Sequence, residues 1–229
     1  MSLEEIKELH KILLRFDKIV EITSIYKGAI NYLFWAVIAP VGALLTAVVY
    51  GVLNINIWTH IIVITLWACL IVFCLTTSRE LGGMYGLRSI YGREENRVEE
   101  YLRKIREYER KELMIWIILF TVYAIVTVTA TPYGTQYWSM VVTSGFCIII
   151  ASGNLGTYIL LKRAIERDRR ETLIVALILY LMSPIVGLVS LKAFYLGFML
   201  FAAVVGLSYL CASAYLLSKF FKYVFLEGK

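Results

Sequence analysis

The residues of this 229-residue chain best suited to chemistry sit in one apolar run, where Thr143-Ser144-Gly145 is followed by Ser152-Gly153-Asn154-Leu155-Gly156-Thr157. A serine becomes a nucleophile only when a neighbouring base takes its proton. The two histidines, His10 and His60, lie outside this run, and no Asp or Glu falls within any long apolar run. Proton relays, intramembrane aspartyl proteolysis and metalloproteolysis all need such groups, so the chain reads as a non-enzyme. Two uses remain for the polar run. Ser152 and Gly156 form a small-xxx-small pair that lets helices approach closely, and Asn154 can hydrogen-bond across to a neighbour. Alternatively, Ser144, Ser152, Asn154, Gly156 and Thr157 form a polar stripe lining a substrate path. The sequence leaves both open.

Nothing else in the pattern asks for a cofactor or a metal. Cys69, Cys74, Cys147 and Cys211 stand singly in apolar surroundings, without the paired spacing of a zinc site or a disulfide framework. They read as small buried hydrophobes. His60, near the outer end of an apolar run, is expected at the surface, and His10 in solvent. Gly82, Gly83, Gly86 and Gly92 mark a bent segment but lack the spacing of a phosphate-cradling loop. No Asn-x-Ser/Thr acceptor occurs, and no nucleic acid is expected as a partner.

The elements that must position these residues are helices in lipid. Hydrophobic residues make up 60% of the chain and charged ones 17%, against roughly a quarter charged in an ordinary soluble domain. Mean hydropathy is +0.74. The apolar residues collect into runs near the roughly 20 residues that cross a bilayer as a helix, at Ala29–Val52, Ile55–Thr77, Leu113–Thr131, Trp138–Leu161, Thr172–Leu191 and Phe194–Leu217. Backbone groups cannot stay unpaired in lipid, so each run must be a helix. The expected fold is all-α: a polytopic membrane protein of six transmembrane helices in three hairpins.

Turns at Leu53–Asn54, Pro132–Tyr137 and Lys192–Ala193 alternate with long connections. Of the 23 Lys and Arg, all but Lys192 lie on the long-connection side, as do all 17 acids. Basic residues mark the cytoplasmic face, so both termini are expected in the cytoplasm of a plasma-membrane protein. Trp58, Tyr133, Tyr137, Trp138 and Tyr195 read as the outer aromatic belt, and Tyr32, Trp35, Trp116, Tyr158 and Tyr215 as the inner one. The densely charged first 28 residues and the lack of a small-residue cleavage site argue against a cleaved signal peptide. Pro40 with Gly42, and Ser183-Pro184 with Gly187, predict kinks in the first and fifth spans.

The chain divides into an amphipathic helix at 1–28, a first hairpin at 29–77, a cytoplasmic connector at 78–112, a second hairpin at 113–161, a link at 162–171, a third hairpin at 172–217 and a tail at 218–229. In the first segment Ser2 and Glu5 have capping-box spacing. Ile6, Leu9, Leu13, Phe16 and Val20 share one face. Lys7, Lys11, Arg15 and Lys18 occupy the remainder, suited to anionic lipid headgroups, though partner contact or internal packing also fits. In the connector, Glu99–Arg103, Glu100–Lys104 and Glu107–Lys111 are stabilising i,i+4 pairs on a helix expected to run unbroken into the third span, as a solvated connector or a docking element.

An amphipathic helix before six spans, termini inside and a structured segment between spans two and three resemble the layout of ABC-2-type permeases. The likeness is one of topology over the whole chain and is carried by no motif. It implies a permease subunit that dimerises and is energised by a separate cytoplasmic ATPase, docking around Arg79, Arg88 and Arg93. The two-residue connection Lys192–Ala193 departs from that family, leaving little room for re-entrant helices. The other expectation is a non-catalytic accessory or scaffold subunit among other membrane subunits. A channel is less suited, because no filter-like sequence or charge ring is present.

Overall fold

A computed structural model describes residues 3–80, 95–164 and 170–225. Six helices account for nearly all of them: α1 (Leu3–Leu53), α2 (Ile57–Glu80), α3 (Glu95–Ala130), α4 (Thr135–Ala164), α5 (Arg170–Lys192) and α6 (Phe194–Phe225), with a 3-10 turn at Thr131–Tyr133. No strand occurs among the described residues. Five stretches are long and apolar enough to cross a bilayer: Gly28–Leu53, Arg110–Tyr133, Thr135–Leu160, Arg170–Lys192 and Phe194–Phe225. In α2 the apolar stretch is Ile57–Leu70. Residues 3–28 of the amphipathic segment and the first apolar run form one continuous helix, as do residues 95–112 of the charged connector and the third run; residues 81–94 of the connector lie outside the described residues. Pro40 and Pro184 both lie inside unbroken helices.

The longest interface joins α1 and α6. Buried residues of α1 recur at steps of four and three: Ile25, Ala29, Tyr32, Ala36, Ala39, Ala43, then Ala47 and Tyr50. In α6 the matching stripe is Phe198, Phe201, Ala202, Val205, Tyr209, Ala212 and Leu216. A repeat near 3.5 keeps both stripes on the shared seam, and the alanines let the backbones close together. Ser213 donates to the Ala29 carbonyl at 3.0 Å, whereas Gly206 lies against Pro40 and Gly51 against the Tyr195 hydroxyl. The two helices therefore run antiparallel along their length.

Gly206 shows why that seam needs glycine. A Cβ there would come within 2.9 Å of Pro40 Cγ and 3.3 Å of the Ala36 carbonyl oxygen. Proline at 40 has no N–H to offer Ala36, four residues earlier, so α6 packs on the carbonyl that the proline frees.

Helices α4 and α5 also pair antiparallel, with Ser139 opposite Ser190, Ser144 opposite Ser183, and Ser152 opposite Tyr180. Helix α4 runs parallel to α6: Trp138 meets Phe194, Phe146 meets Phe201, and Asn154 meets Tyr209. Phe146 is the hub of the core, in ring contact with Trp67 of α2, Phe120 and Tyr123 of α3, and Phe201 of α6. The turn from α1 to α2 holds Asn54 at φ 60°, a left-handed conformation that asparagine tolerates better than most side chains. Asn56 accepts from the Thr59 amide at 3.0 Å and donates to the Leu53 carbonyl at 3.1 Å, closing the end of one helix and the start of the next.

Two expected belt residues are interior instead. Trp138 is 0% exposed and Tyr32 7%. Each lies on the buried stripe of its helix, so the packing of aromatic neighbours overrides the interface preference. Trp58, Tyr133, Tyr137, Tyr195 and Tyr215 are exposed.

Candidate functional site

The five residues of the polar run separate around the circumference of α4. Ser144 donates to Met140 O at 2.6 Å and its own carbonyl accepts from Ser183 of α5 at 3.1 Å. Ser152 donates to Ile148 O and meets the Tyr180 hydroxyl of α5 at 2.8 Å. Asn154 uses its amide hydrogens on Ile150 O at 2.9 Å and on the Tyr209 hydroxyl of α6 at 3.3 Å. Thr157 donates to Glu112 of α3 at 2.8 Å, and Gly156 packs on Ile115 of the same helix. One run of sequence therefore contacts three neighbours. A helix turns 100° per residue, so positions 152, 154 and 157 cannot face one direction.

Two surface grooves lie nearby. One of about 470 Å³ runs between α1 and α6, with Pro40, Leu44, Met199, Ala203 and Gly206 among its lining residues. One of about 230 Å³ lies beside the 3-10 turn, lined by Ala130, Tyr133, Tyr137 and Val141. None of the five α4 residues lines either groove.

The densest polar contact joins α4 to α5. Ser139 lies 2.8 Å from both Gln136 O and Ser190 O, sharing one hydrogen between its own helix and the next. Thr143 and Ser190 hydroxyls approach to 2.6 Å, and each also reaches a carbonyl four residues earlier at 2.8 Å. Each hydroxyl carries one hydrogen, so one of the pair donates across the interface while the other keeps its intrahelical bond. All three side chains are fully buried. Glycine permits the approach: a Cβ on Gly187 of α5 would lie 3.1 Å from Ser144 Cβ of α4. At the neighbouring interfaces a Cβ on Gly197 of α6 would collide with the Ser190 backbone and side chain of α5, and one on Gly153 of α4 with the Trp116 ring of α3.

The second polar group lies at the end of the bundle that holds the turn between α1 and α2. His60 is 3% exposed, which corrects the expectation of a surface role. Its Nδ1 is 2.7 Å from the Tyr50 hydroxyl and its Nε2 is 3.1 Å from Thr131 Oγ1. The arrangement that satisfies every atom has Tyr50 donating to Nδ1, Nε2–H donating to Thr131, and Thr131 donating to Thr127 O at 3.4 Å. A neutral imidazole supplies one donor and one acceptor, so it serves as a cross-link between α1, α2 and the end of α3. Trp138 packs on this group, 4.3 Å from the Tyr50 ring and 5.8 Å from His60 between centroids. Its fully buried Nε1 has no hydrogen-bond acceptor.

The chain matches no protein-family model, no curated protein and no solved structure. Its chemistry must therefore be read from its own geometry. Among the described residues, no three His, Cys, Asp or Glu side chains come together as metal ligands. Cys69, Cys147 and Cys211 are free thiols, with Cys147 buried and the other two exposed.

The basic residues expected to meet partners fall largely outside the described residues. That holds for Arg88 and Arg93 entirely, and for the side chains of Lys7, Lys11, Arg15, Lys18 and Arg79; Ser2 of the expected capping box lies outside the described residues as well. Of the connector's ion pairs, Glu107–Lys111 is present at 2.7 Å with both side chains exposed. Sequence reasoning missed His60 with Tyr50 and Thr131, the Ser139–Thr143–Ser190 group, and Gly153 and Gly197 as points of closest approach. Alanines 29, 36 and 43, seven residues apart, were the legible signal for the α1 seam.

Proposed function

We propose that this chain is a non-catalytic membrane subunit that acts by holding partners, an accessory or scaffold component of a larger membrane assembly. The observation that carries this reading is the placement of Ser144, Ser152, Asn154, Gly156 and Thr157, each in a contact with one of three neighbouring helices. Positions taken up by helix contacts are consistent with a rigid bundle. In this reading six spans form three hairpins in the plasma membrane. Both termini, the connector and the link lie in the cytoplasm, where the basic residues favour them. Lys7, Lys11, Arg15 and Lys18 then face anionic headgroups.

A second reading has its own support. Beyond their apolar stretches, α1 continues over residues 3–27 and α3 over residues 95–109. At 1.5 Å per residue these extensions reach about 37 Å and about 22 Å. Long charged helices continuous with spans suit a permease that receives force from a cytoplasmic ATPase, with the substrate path between two copies.

Gentle extraction from native membranes followed by mass spectrometry of co-purifying proteins separates the two. Stoichiometric membrane subunits without an ATPase support the accessory role. A stoichiometric nucleotide-binding ATPase overturns it in favour of the permease.

A further inference from the structure

Three segments far apart in the chain meet on one imidazole. His60 lies in the first turn of α2 and is 3% exposed. Its Nδ1 meets the Tyr50 hydroxyl from the last turn of α1, and its Nε2 meets Thr131, the first residue of the 3-10 turn that follows α3. That turn carries Tyr133, which lines the groove of about 230 Å³ with Ala130, Tyr137 and Val141. The bond from His60 to Thr131 joins the turn to α2.

The surroundings suit a neutral ring. The elements packed on it present Tyr50 from α1, Thr127 and Thr131 from the end of α3, and Trp138 from α4, none of them charged. Every described Asp and Glu belongs to residues 3–28, 80–112 or 171, toward the opposite end of the bundle, where Glu112 meets Thr157. Lys192, at the same end as His60, is exposed and positive. A proton on the ring therefore finds no anion, and a buried unpaired charge is costly. The Trp138 face, 5.8 Å away and tilted by 39°, is a weaker partner for a cation than a carboxylate. Protonation also reverses the bond at Nδ1, because an imidazolium donates from both nitrogens. Tyr50 must then accept from the ring, and its own hydrogen loses the acceptor it had.

We propose that His60 is a proton-operated latch. Neutral, it fastens the turn after α3 and the start of α2 to the end of α1. Protonated, it leaves its pocket for the solvent at this end of the bundle. The turn that carries Tyr133 then comes free, widening the groove and uncovering Trp138. The latch holds for either reading of the overall function: a scaffold would use it to admit or release a partner in response to acid, a permease to gate this end.

Fluorine NMR on the full chain in lipid nanodiscs tests this, with fluorotryptophan at all five tryptophans and His10→Gln leaving His60 as the single histidine. Acidification from about pH 7.5 to about pH 4.5 brackets the ordinary histidine range near 6.5. The Trp138 signal, assigned by its loss in Trp138→Phe, is expected to shift with the same midpoint as the His60 ring nitrogens, followed by nitrogen NMR. Trp35, stacked on Tyr209, and Trp116, against Gly153, lie toward the other end and are expected to stay unmoved. His60→Gln keeps a donor and an acceptor but does not titrate, and is expected to abolish the Trp138 shift. If that variant does not fold, the titration of the parent decides alone. A His60 ring that stays neutral to pH 4.5 overturns the proposal, as does a Trp138 signal that stays still while the ring titrates. So does a Trp138 shift that persists in His60→Gln, or movement of all five signals together, which would mean global unfolding.

Discussion

At the scale of single residues, hydroxyls and glycines decide how close the helices come. Gly197 has the least tolerance, because an added methyl meets the Cα of Ser190 as well as its side chain. Backbone cannot rotate aside, so Gly197→Ala is expected to cost about 1–3 kcal/mol of stability and to lower the thermal midpoint in a detergent melt. A midpoint unchanged within a degree would show that α5 and α6 are further apart than described. The hydroxyls are worth less each. Thr143→Val removes the 2.6 Å contact with Ser190 while keeping shape, and is expected to cost about 0.6 kcal/mol, the average for such bonds in lipid. Chemical denaturation in mixed micelles would read the difference. The polar run of α4 was visible in the sequence, because polar side chains stand out among apolar ones. Its three separate directions were not, because direction depends on which helix lies opposite each residue. His60 was misread for a similar reason. Its partners lie ten and 71 positions away in the chain, and an imidazole near a span end looks like a surface residue until those partners are placed.

At the scale of elements, hydropathy located the apolar runs, and the boundaries agree closely at the short turns. Three short connections follow directly from Asn54, Gly134 and Ala193, where the helices stop within a few residues. The pairing of α1 with α6 was less legible, since a seven-residue alanine repeat names one side of a seam but not its partner. The partner becomes recognisable only through Gly206 lying on Pro40. That contact makes a sharp prediction. Gly206→Ala places a Cβ 2.9 Å from Pro40 Cγ and is expected to destabilise by about 1–3 kcal/mol, as overpacking does. In a Pro40→Ala background the proline ring is gone and α1 regains the bond to Ala36, so the same Gly206→Ala change should cost less. The double-mutant cycle then gives a coupling of about 0.5 kcal/mol or more between positions in contact. A coupling near zero, measured by reversible unfolding in micelles, would separate the two residues.

At the scale of the whole molecule, the charge distribution and the packing make independent statements that should agree. The pairwise contacts run antiparallel from α1 to α6, from α3 to α4 and from α4 to α5, and parallel from α4 to α6. This sorts the helix ends into two groups. Asn54, Tyr133 and Lys192 stand at one end, and Glu112, Lys162 and Arg170 at the other. The basic residues are concentrated at the second end, the arrangement favoured for a cytoplasmic face. If that orientation holds, single cysteines at Tyr133 and Lys192 in a cysteine-free chain should react with a membrane-impermeant maleimide on intact cells. Cysteines at Lys111 and Lys162, both exposed positions, should react only after permeabilisation. Tyr133 is 74% exposed, so steric shielding would not explain a failure to label there. The reverse pattern would invert the molecule and put the charged extensions of α1 and α3 outside, removing the basis for any cytoplasmic partner. A mixed pattern, with Tyr133 and Lys192 on opposite sides, would break the second and third hairpins apart. It would be incompatible with Ser139 and Ser190 sharing a hydrogen bond at the same depth.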